Sequence, residues 1–174
     1  NLLCPDGVYR DQGATTIFDR SRPPAAEDLA QLQGCTSATD RMLFEETELT
    51  SLRGMESIQN LGDSLEIRAN PSLSSLDGLQ GLQSVAGDLI IADNPTLADL
   101  DTLRNLVSVG GKLVIKDNPL LADIEGLSGL TSVAGGLTLR GNDALVSLAG
   151  LGKVASIGGD LVISGNDELK DLQG

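Results

Sequence analysis

Asparagine recurs at a fixed interval of 24 residues, and this interval constrains the fold more than any other feature of the sequence. The asparagines are Asn70, Asn94, Asn118, Asn142 and Asn166. Apolar residues keep the same interval at several positions, as in the column Leu65, Leu89, Leu113, Leu137 and Leu161 and the column Ile67, Ile91, Ile115, Leu139 and Ile163. One repeat of this length cannot bury its own apolar side. The period therefore predicts a solenoid whose stacked coils share a core.

Within each repeat, an alternating Leu-x-Ile stretch is followed by Asn-Pro or Asn-Asp. The alternation predicts a short strand with Leu and Ile pointing inward, and the Asn-Pro or Asn-Asp pair predicts a turn. Stacking of these strands predicts one parallel sheet. We expect the asparagine amides to hydrogen-bond the backbone of the coils above and below, and a ligand-binding row of asparagines is the alternative interpretation.

Residues 1–39 do not follow the repeat. Pro23-Pro24, the acidic residues Glu27 and Asp28 and the following Gly34 predict a helix over about residues 25–33. We expect residues 1–39 to form an N-terminal cap over the first coil. Residues 40–174 are expected to form the solenoid of 24-residue repeats, truncated in mid-repeat at the C-terminus.

The cysteines Cys4 and Cys35 flank the predicted helix. The chain contains no histidine and no Cys-x-x-Cys pair, so a zinc site of the usual Cys and His type cannot be built. A disulfide is the simplest use of the two thiols, and it implies an oxidising compartment. The predicted location is therefore secreted or on the cell surface.

The first repeat is degenerate. At the 24-residue spacing Arg41 falls where later repeats have leucine, and Glu46 falls where they have asparagine. The residues in phase are Leu43, Leu49, Leu52, Met55 and Ile58. Whether Met42 and Phe44 face inward or outward stays open. No cap is visible at the C-terminal end, so self-association through that end also stays open.

Charge and composition argue against several function classes. A formal net charge of −13 repels nucleic acid and anionic membranes, and no apolar run is long enough to span a bilayer. Without histidine no Ser-His-Asp triad can form. Asp88 and Asp160 are expected to lie about 14 Å apart, too far for a glycosidase pair. We therefore predict a non-enzymatic chain without cofactor or metal.

The repeat spacing departs from the ordinary leucine-rich repeat. Val85 lies four residues before Leu89 instead of three, and Leu97 lies three residues after Asn94 instead of two. This spacing resembles the receptor L domain, the ligand-binding module of the insulin-receptor and epidermal-growth-factor-receptor families. The same resemblance is carried by Leu3-Cys4-Pro5, by Leu32-Gln33-Gly34-Cys35-Thr36 and by the run over residues 57–67.

The resemblance covers nearly the whole chain. It implies a right-handed solenoid with a disulfide-tied N-terminal helix, an extracellular location and protein binding on the largest sheet. The repeats here are more regular and more aliphatic than is usual in that family, and in this they look like bacterial surface versions. The predicted fold is a β-rich, leucine-rich-repeat-like solenoid of the right-handed β-helix or L-domain type, with one parallel sheet and an N-terminal helical, disulfide-tied cap.

The strand residues between the inward positions must point outward. One outward row contains Glu66, Ile90, Val114, Thr138 and Val162, and the row beside it contains Arg68, Ala92, Lys116, Arg140 and Ser164. An apolar row flanked by cations is typical of a partner surface, although β-branched residues also simply favour strands. We expect a recognition module that binds a protein or peptide, and a cationic partner would suit the negative chain. The alternative is a structural or adhesive spacer module of a larger surface protein.

Overall fold

The computed structural model describes Cys4, residues 6–9 and residues 23–172. Leu3 and Pro5, which carry part of the family resemblance, and Gly174, the last residue of the predicted solenoid, lie outside these described residues. The described chain is a parallel β-solenoid with two sheets. The long sheet contains β3 (Met42–Glu45), β5 (Leu65–Arg68), β7 (Leu89–Ala92), β9 (Leu113–Lys116), β11 (Leu137–Arg140) and β13 (Leu161–Ser164).

The second sheet, called the short sheet, consists of two-residue strands. Its strands are β1 (Val8–Tyr9), β2 (Ser37–Ala38), β4 (Asn60–Leu61), β6 (Ser84–Val85), β8 (Ser108–Val109), β10 (Ser132–Val133) and β12 (Ser156–Ile157). The prediction of one parallel sheet is therefore wrong. A two-residue strand is too short to produce an alternating pattern, and main-chain bonds such as Val107 N–H to the Gln83 carbonyl (2.8 Å) hold these strands together.

The core lies between the two sheets and the loops that join them. Both predicted inward positions of the long-sheet strands are fully buried from β5 to β11, as Leu65 and Ile67 show at 0% exposure. On the loop side, three short 3-10 helices stack at Asp101–Leu103, Glu125–Leu127 and Ala149–Leu151. Since each buried aliphatic side chain contributes about 1.5–3 kcal/mol before entropy is counted, the shared core is what stabilises the stack.

The asparagine column turns each coil after its long-sheet strand. The Oδ1 of Asn118 accepts two hydrogen bonds from Asn94, one from its backbone N–H (3.1 Å) and one from the side-chain Nδ2 of Asn94 (3.2 Å). The Nδ2 of Asn118 donates to the Ile91 carbonyl (3.0 Å). The corresponding bonds recur along the ladder. Asn70, Asn94, Asn118 and Asn142 are 0% exposed, so a ligand in solution cannot reach them.

The residue before each asparagine has a left-handed backbone. Its φ is 58° at Asp93 and 54° at Asp117, and the place is taken by Gly141 and Gly165 in later coils. Glycine adopts this conformation without strain, and aspartate tolerates it better than most residues. This requirement of the turn explains why Asp93 and Asp117 recur in the sequence.

The first solenoid coil is one residue shorter than the others. Met42 pairs with Leu65 and Phe44 with Ile67, and both Met42 and Phe44 are 0% exposed, which resolves their orientation. The expectation that Arg41 and Glu46 hold the leucine and asparagine places is therefore wrong by one residue.

Thr47 takes the asparagine place, and its N–H and Oγ1 donate to Asn70 Oδ1 at 3.0 and 2.8 Å. Leu43, in phase with Ile67 at the 24-residue spacing, pairs with Glu66 instead. The same one-residue shift turns its half-buried side chain away from the core.

The N-terminal region contains the predicted disulfide between Cys4 and Cys35, whose Cα atoms are 5.4 Å apart. Its helix, α1 (Ala26–Ala30), is shorter than the predicted span because Gln31 to Gly34 form a turn, with Gly34 at a φ of 87°. Parallel pairing also starts before residue 40, at β1 and β2. Within the described residues no helix has the length and apolar character needed to cross a membrane.

Candidate binding face

The outer face is defined here as the side of the long sheet that points away from the core. Its central column runs across all six strands in register and contains Leu43, Glu66, Ile90, Val114, Thr138 and Val162. The column beside it contains Glu45, Arg68, Ala92, Lys116, Arg140 and Ser164. The structure thus brings together every predicted partner-binding residue on one side of one sheet.

The accessibility of these residues is uneven. Ile90, Val114 and Thr138 are half-buried, and Val162 is 41% exposed. Ala92, predicted to be outward, is 1% exposed. Its register is as predicted, but its short side chain sits in a column between the longer side chains of Arg68 and Lys116. Ile90 and Val114 are therefore the central apolar contacts that the face can offer.

Glu66 is largely buried and forms ion pairs with two arginines. Its Oε1 accepts a hydrogen bond from Arg41 Nε at 2.5 Å, and its Oε2 lies 3.5 Å from an Arg68 terminal nitrogen. The hydrogen bond from Arg41 is the main reason that the pKa of the Glu66 carboxyl lies below its usual value, and the charges of Arg41 and Arg68 act in the same direction. At 9% exposure, Glu66 organises the face more than it offers a contact.

The other cations of the face differ in how far they are neutralised. Arg68 Nε lies 3.1 Å from a Glu45 oxygen, and Lys116 Nζ lies 3.9 Å from Asp93 and 3.4 Å from Asp117. Arg140 is exposed and has no ion-pair partner among the described residues. Arg140 is thus the cation of the predicted set that is most available to a partner.

A search with protein-family models and a search of curated proteins each found no match to this chain.

Sequence reasoning missed three members of the face. Leu43 and Glu45 belong to the first long-sheet strand and Arg41 immediately precedes it. Because the repeat is one residue short here, a fixed 24-residue spacing aligns these three residues with the wrong positions of the next coil. The available signal was the pair of charged residues Arg41 and Glu45, which share one side of an extended segment with Leu43 and leave Met42 and Phe44 on the other side. The two charges favour their own side as the outward one without any reference to the repeat length.

The outer face combines aliphatic side chains in its central column with charged side chains in the column beside it. In the part of the chain that the structure describes, no three Asp, Glu, Cys or His side chains lie close enough together to hold a metal ion.

The pairing of Glu66 with Arg41 is expected to make stability depend on acid pH. Because the folded pKa of Glu66 is lowered, its contribution is fully present above the unfolded value of about 4.3 and is lost as the pH falls through the folded pKa. We expect Glu66→Gln to lower the melting temperature at pH 7 and to cost progressively less below about pH 4. Glu168→Gln, which changes an exposed carboxylate, is the control. A Glu66→Gln deficit that is the same at pH 7 and pH 3 would contradict this account.

Proposed function

We propose that the chain is a recognition module that binds a protein or peptide partner through the outer face. The observation that carries the proposal is the register of Ile90, Val114 and Thr138, which places accessible side chains on three adjacent strands at about 4.8 Å intervals. A stable interface buries about 800 Å² on each partner, which is more than three side chains can supply. The column would therefore form only the apolar centre of the interface. Arg140 and Lys116 would form part of the rim.

We further propose that the fold is of the receptor L-domain type, with α1 and the disulfide acting as a cap. Supporting this are the repeat spacing, the position of Cys35 after the helix, and the complete burial of Leu29 and Leu32. A secreted or cell-surface location follows as part of the proposal, because disulfides persist in oxidising compartments.

A structural or adhesive spacer is the second candidate. The observation that favours it is the internal pairing of Arg68 and Lys116 with carboxylates, since these cations need no partner to be satisfied. In that case the outer face would serve only to order the strands, and its apolar column would reflect the preference of β-branched residues for sheets.

The test compares two doubly substituted baits. Ile90→Asp with Val114→Asp places two carboxylates at the centre of the outer face. Leu120→Asp with Val146→Asp changes two exposed apolar residues (54% and 56% exposed) that follow the asparagine column. Each bait, shown to be folded by circular dichroism, is used beside the native chain to capture proteins from surface extracts of the cells that make it. Captured proteins are identified by mass spectrometry.

We expect a partner that the native chain and the Leu120/Val146 variant both retain and that the Ile90/Val114 variant loses. With that partner purified, the dissociation constant should rise at least about tenfold for the Ile90/Val114 variant, as for loss of an interface centre. Equal binding by all three baits would place the site elsewhere. Capture of no partner by the native chain would favour the spacer.

A further inference from the structure

A groove crosses the first three long-sheet strands at the point where they end. Its volume is about 410 Å³, and the residues that line it are Glu46, Glu48, Ala69, Pro71, Asp93 and Pro95. We call it the corner groove. It is as large as small-ligand sites commonly are, although it is open to solvent along its length.

The sequence explains why the chain forms a groove at this corner. Glu46, Ala69 and Asp93 occupy the left-handed position before the turn in three successive coils. Ala69 has only a methyl group where its two neighbours have carboxylate side chains. Pro71 follows the turn in the same coil as Ala69. The floor of the corner groove is therefore apolar, and carboxylates stand at both of its ends.

The charge of the corner groove is poorly compensated. Glu46 and Glu48 have no ion-pair partner among the described residues. Asp93 has only Lys116, which at 3.9 Å lies farther from it than from Asp117 at 3.4 Å. The carboxylates are also too widely spaced to surround a metal ion, since no group of three suitable side chains was found among the described residues. An apolar floor between separated carboxylates suits a cation carried on an aliphatic stem.

We propose that the corner groove binds an arginine or lysine side chain from an extended basic segment of the partner. The aliphatic stem would pack on Ala69 and Pro71, and the charged head would reach the carboxylates of Glu46, Glu48 or Asp93. Arginine fits best, because its guanidinium can donate two hydrogen bonds to one carboxylate.

The inference rests on the proposed function for the identity of the partner. Two features of the chain connect the corner groove to the outer face. Glu45 and Ala92 end β3 and β7 on that face, and the next residues, Glu46 and Asp93, line the corner groove. A segment crossing the outer face along β3 or β7 would enter the corner groove directly.

The probe for the test is a synthetic acetylated tetra-arginine amide, titrated into the ¹⁵N-labelled chain and followed by NMR. We expect saturable shifts at the amides of Glu46, Ala69 and Asp93 in physiological salt. In the groove variant, Glu46→Gln, Glu48→Gln and Asp93→Asn, the dissociation constant should rise at least about fivefold, as expected for the loss of two or three surface ion pairs. Acetylated tetra-glutamate amide should cause no saturable shift.

The matched control removes the same number of charges elsewhere. Asp143→Asn, Asp167→Asn and Glu168→Gln change exposed carboxylates in later coils, and none of the three has a side-chain partner among the described residues. Equal weakening in the two triple variants would show diffuse attraction by the negative chain and would overturn the proposal, as would the absence of saturable shifts in the corner groove.

Tetra-arginine has no apolar side chain that could bind the central column of the outer face. The titration therefore tests the corner groove alone, and its result does not depend on that of the bait comparison. Failure of the titration alone removes the corner groove, whereas failure of the bait comparison alone removes the outer face as the site.

Discussion

Replacing Leu113 with aspartate is expected to unfold the centre of the solenoid. Leu113 is 0% exposed in β9, with a coil stacked on each side of it. The substitution removes a buried aliphatic side chain and places a carboxylate where no partner for it exists, at a combined cost of more than about 5 kcal/mol. Whole domains are stable by only about 5–15 kcal/mol, so little or none of the stability would remain.

The measurement is thermal unfolding by circular dichroism, combined with hydrogen exchange resolved by coil. A loss of 5 kcal/mol corresponds to a fall of at least about 10 °C in the melting temperature of a chain of this size. Because each coil contacts only its neighbours, amide protection should fail first in β7, β9 and β11. Val114→Asp, one residue along and facing outward, should melt close to the native chain. Similar melting of the two variants would refute the assignment of inward and outward positions.

The same alternation shows how much of the fold the sequence contains. The inward columns of the long sheet were predictable because aliphatic residues recur at the spacing of the coils and alternate within each strand. One side chain in two must then face the core, whatever the exact path of the loops. Periodicity therefore predicts burial well, since burial depends mainly on the type of residue and its place in the repeat.

Periodicity predicts backbone detail less well. The short sheet escaped prediction because its strands are two residues long and are held by main-chain hydrogen bonds, which any residue type except proline can form. The one-residue deletion lies between Thr47 and Thr50, and it was not predicted because threonine replaces asparagine at the start of this shorter turn. Helix α1 ends at Ala30, three residues before the predicted end, because local sequence signals locate the ends of helices only to within a few residues.

The candidate site shows the same division. Alternation predicted which residues share the outer face, but it could not predict how much of each side chain remains accessible. Accessibility depends on the neighbours across the strands, as the burial of Glu66 between Leu43 and Ile90 and of Ala92 between longer side chains shows. The corner groove likewise depends on a single small residue, Ala69, at a place where the neighbouring coils have carboxylates. Such features arise from differences between the repeats, and these differences are lost when the repeats are averaged into one consensus pattern.

The asparagine column can be tested at Asn118, where the repeat is most regular. Asn118→Ala removes the acceptor of the Asn94 backbone N–H and the donor to the Ile91 carbonyl, and both groups lie inside the stack. Each buried polar group left without a partner costs about 1–3 kcal/mol, so we expect a loss of about 3–6 kcal/mol once the weaker side-chain bonds are included. Asn105→Ala is the control, because Asn105 is exposed and its amide donates a hydrogen bond to the Gln80 carbonyl at the surface.

Chemical denaturation of both variants measures the difference, and the control should lose no more than about 1 kcal/mol. Asn118→Asp separates the two roles of the amide, because it keeps an acceptor for Asn94 but has no N–H for the Ile91 carbonyl and buries a charge. It should be at least as damaging as Asn118→Ala. If Asn118→Ala were as stable as the native chain, the hydrogen bonds of the column would not hold the coils together. The cohesion of the solenoid would then have to come from its aliphatic core and its two sheets alone.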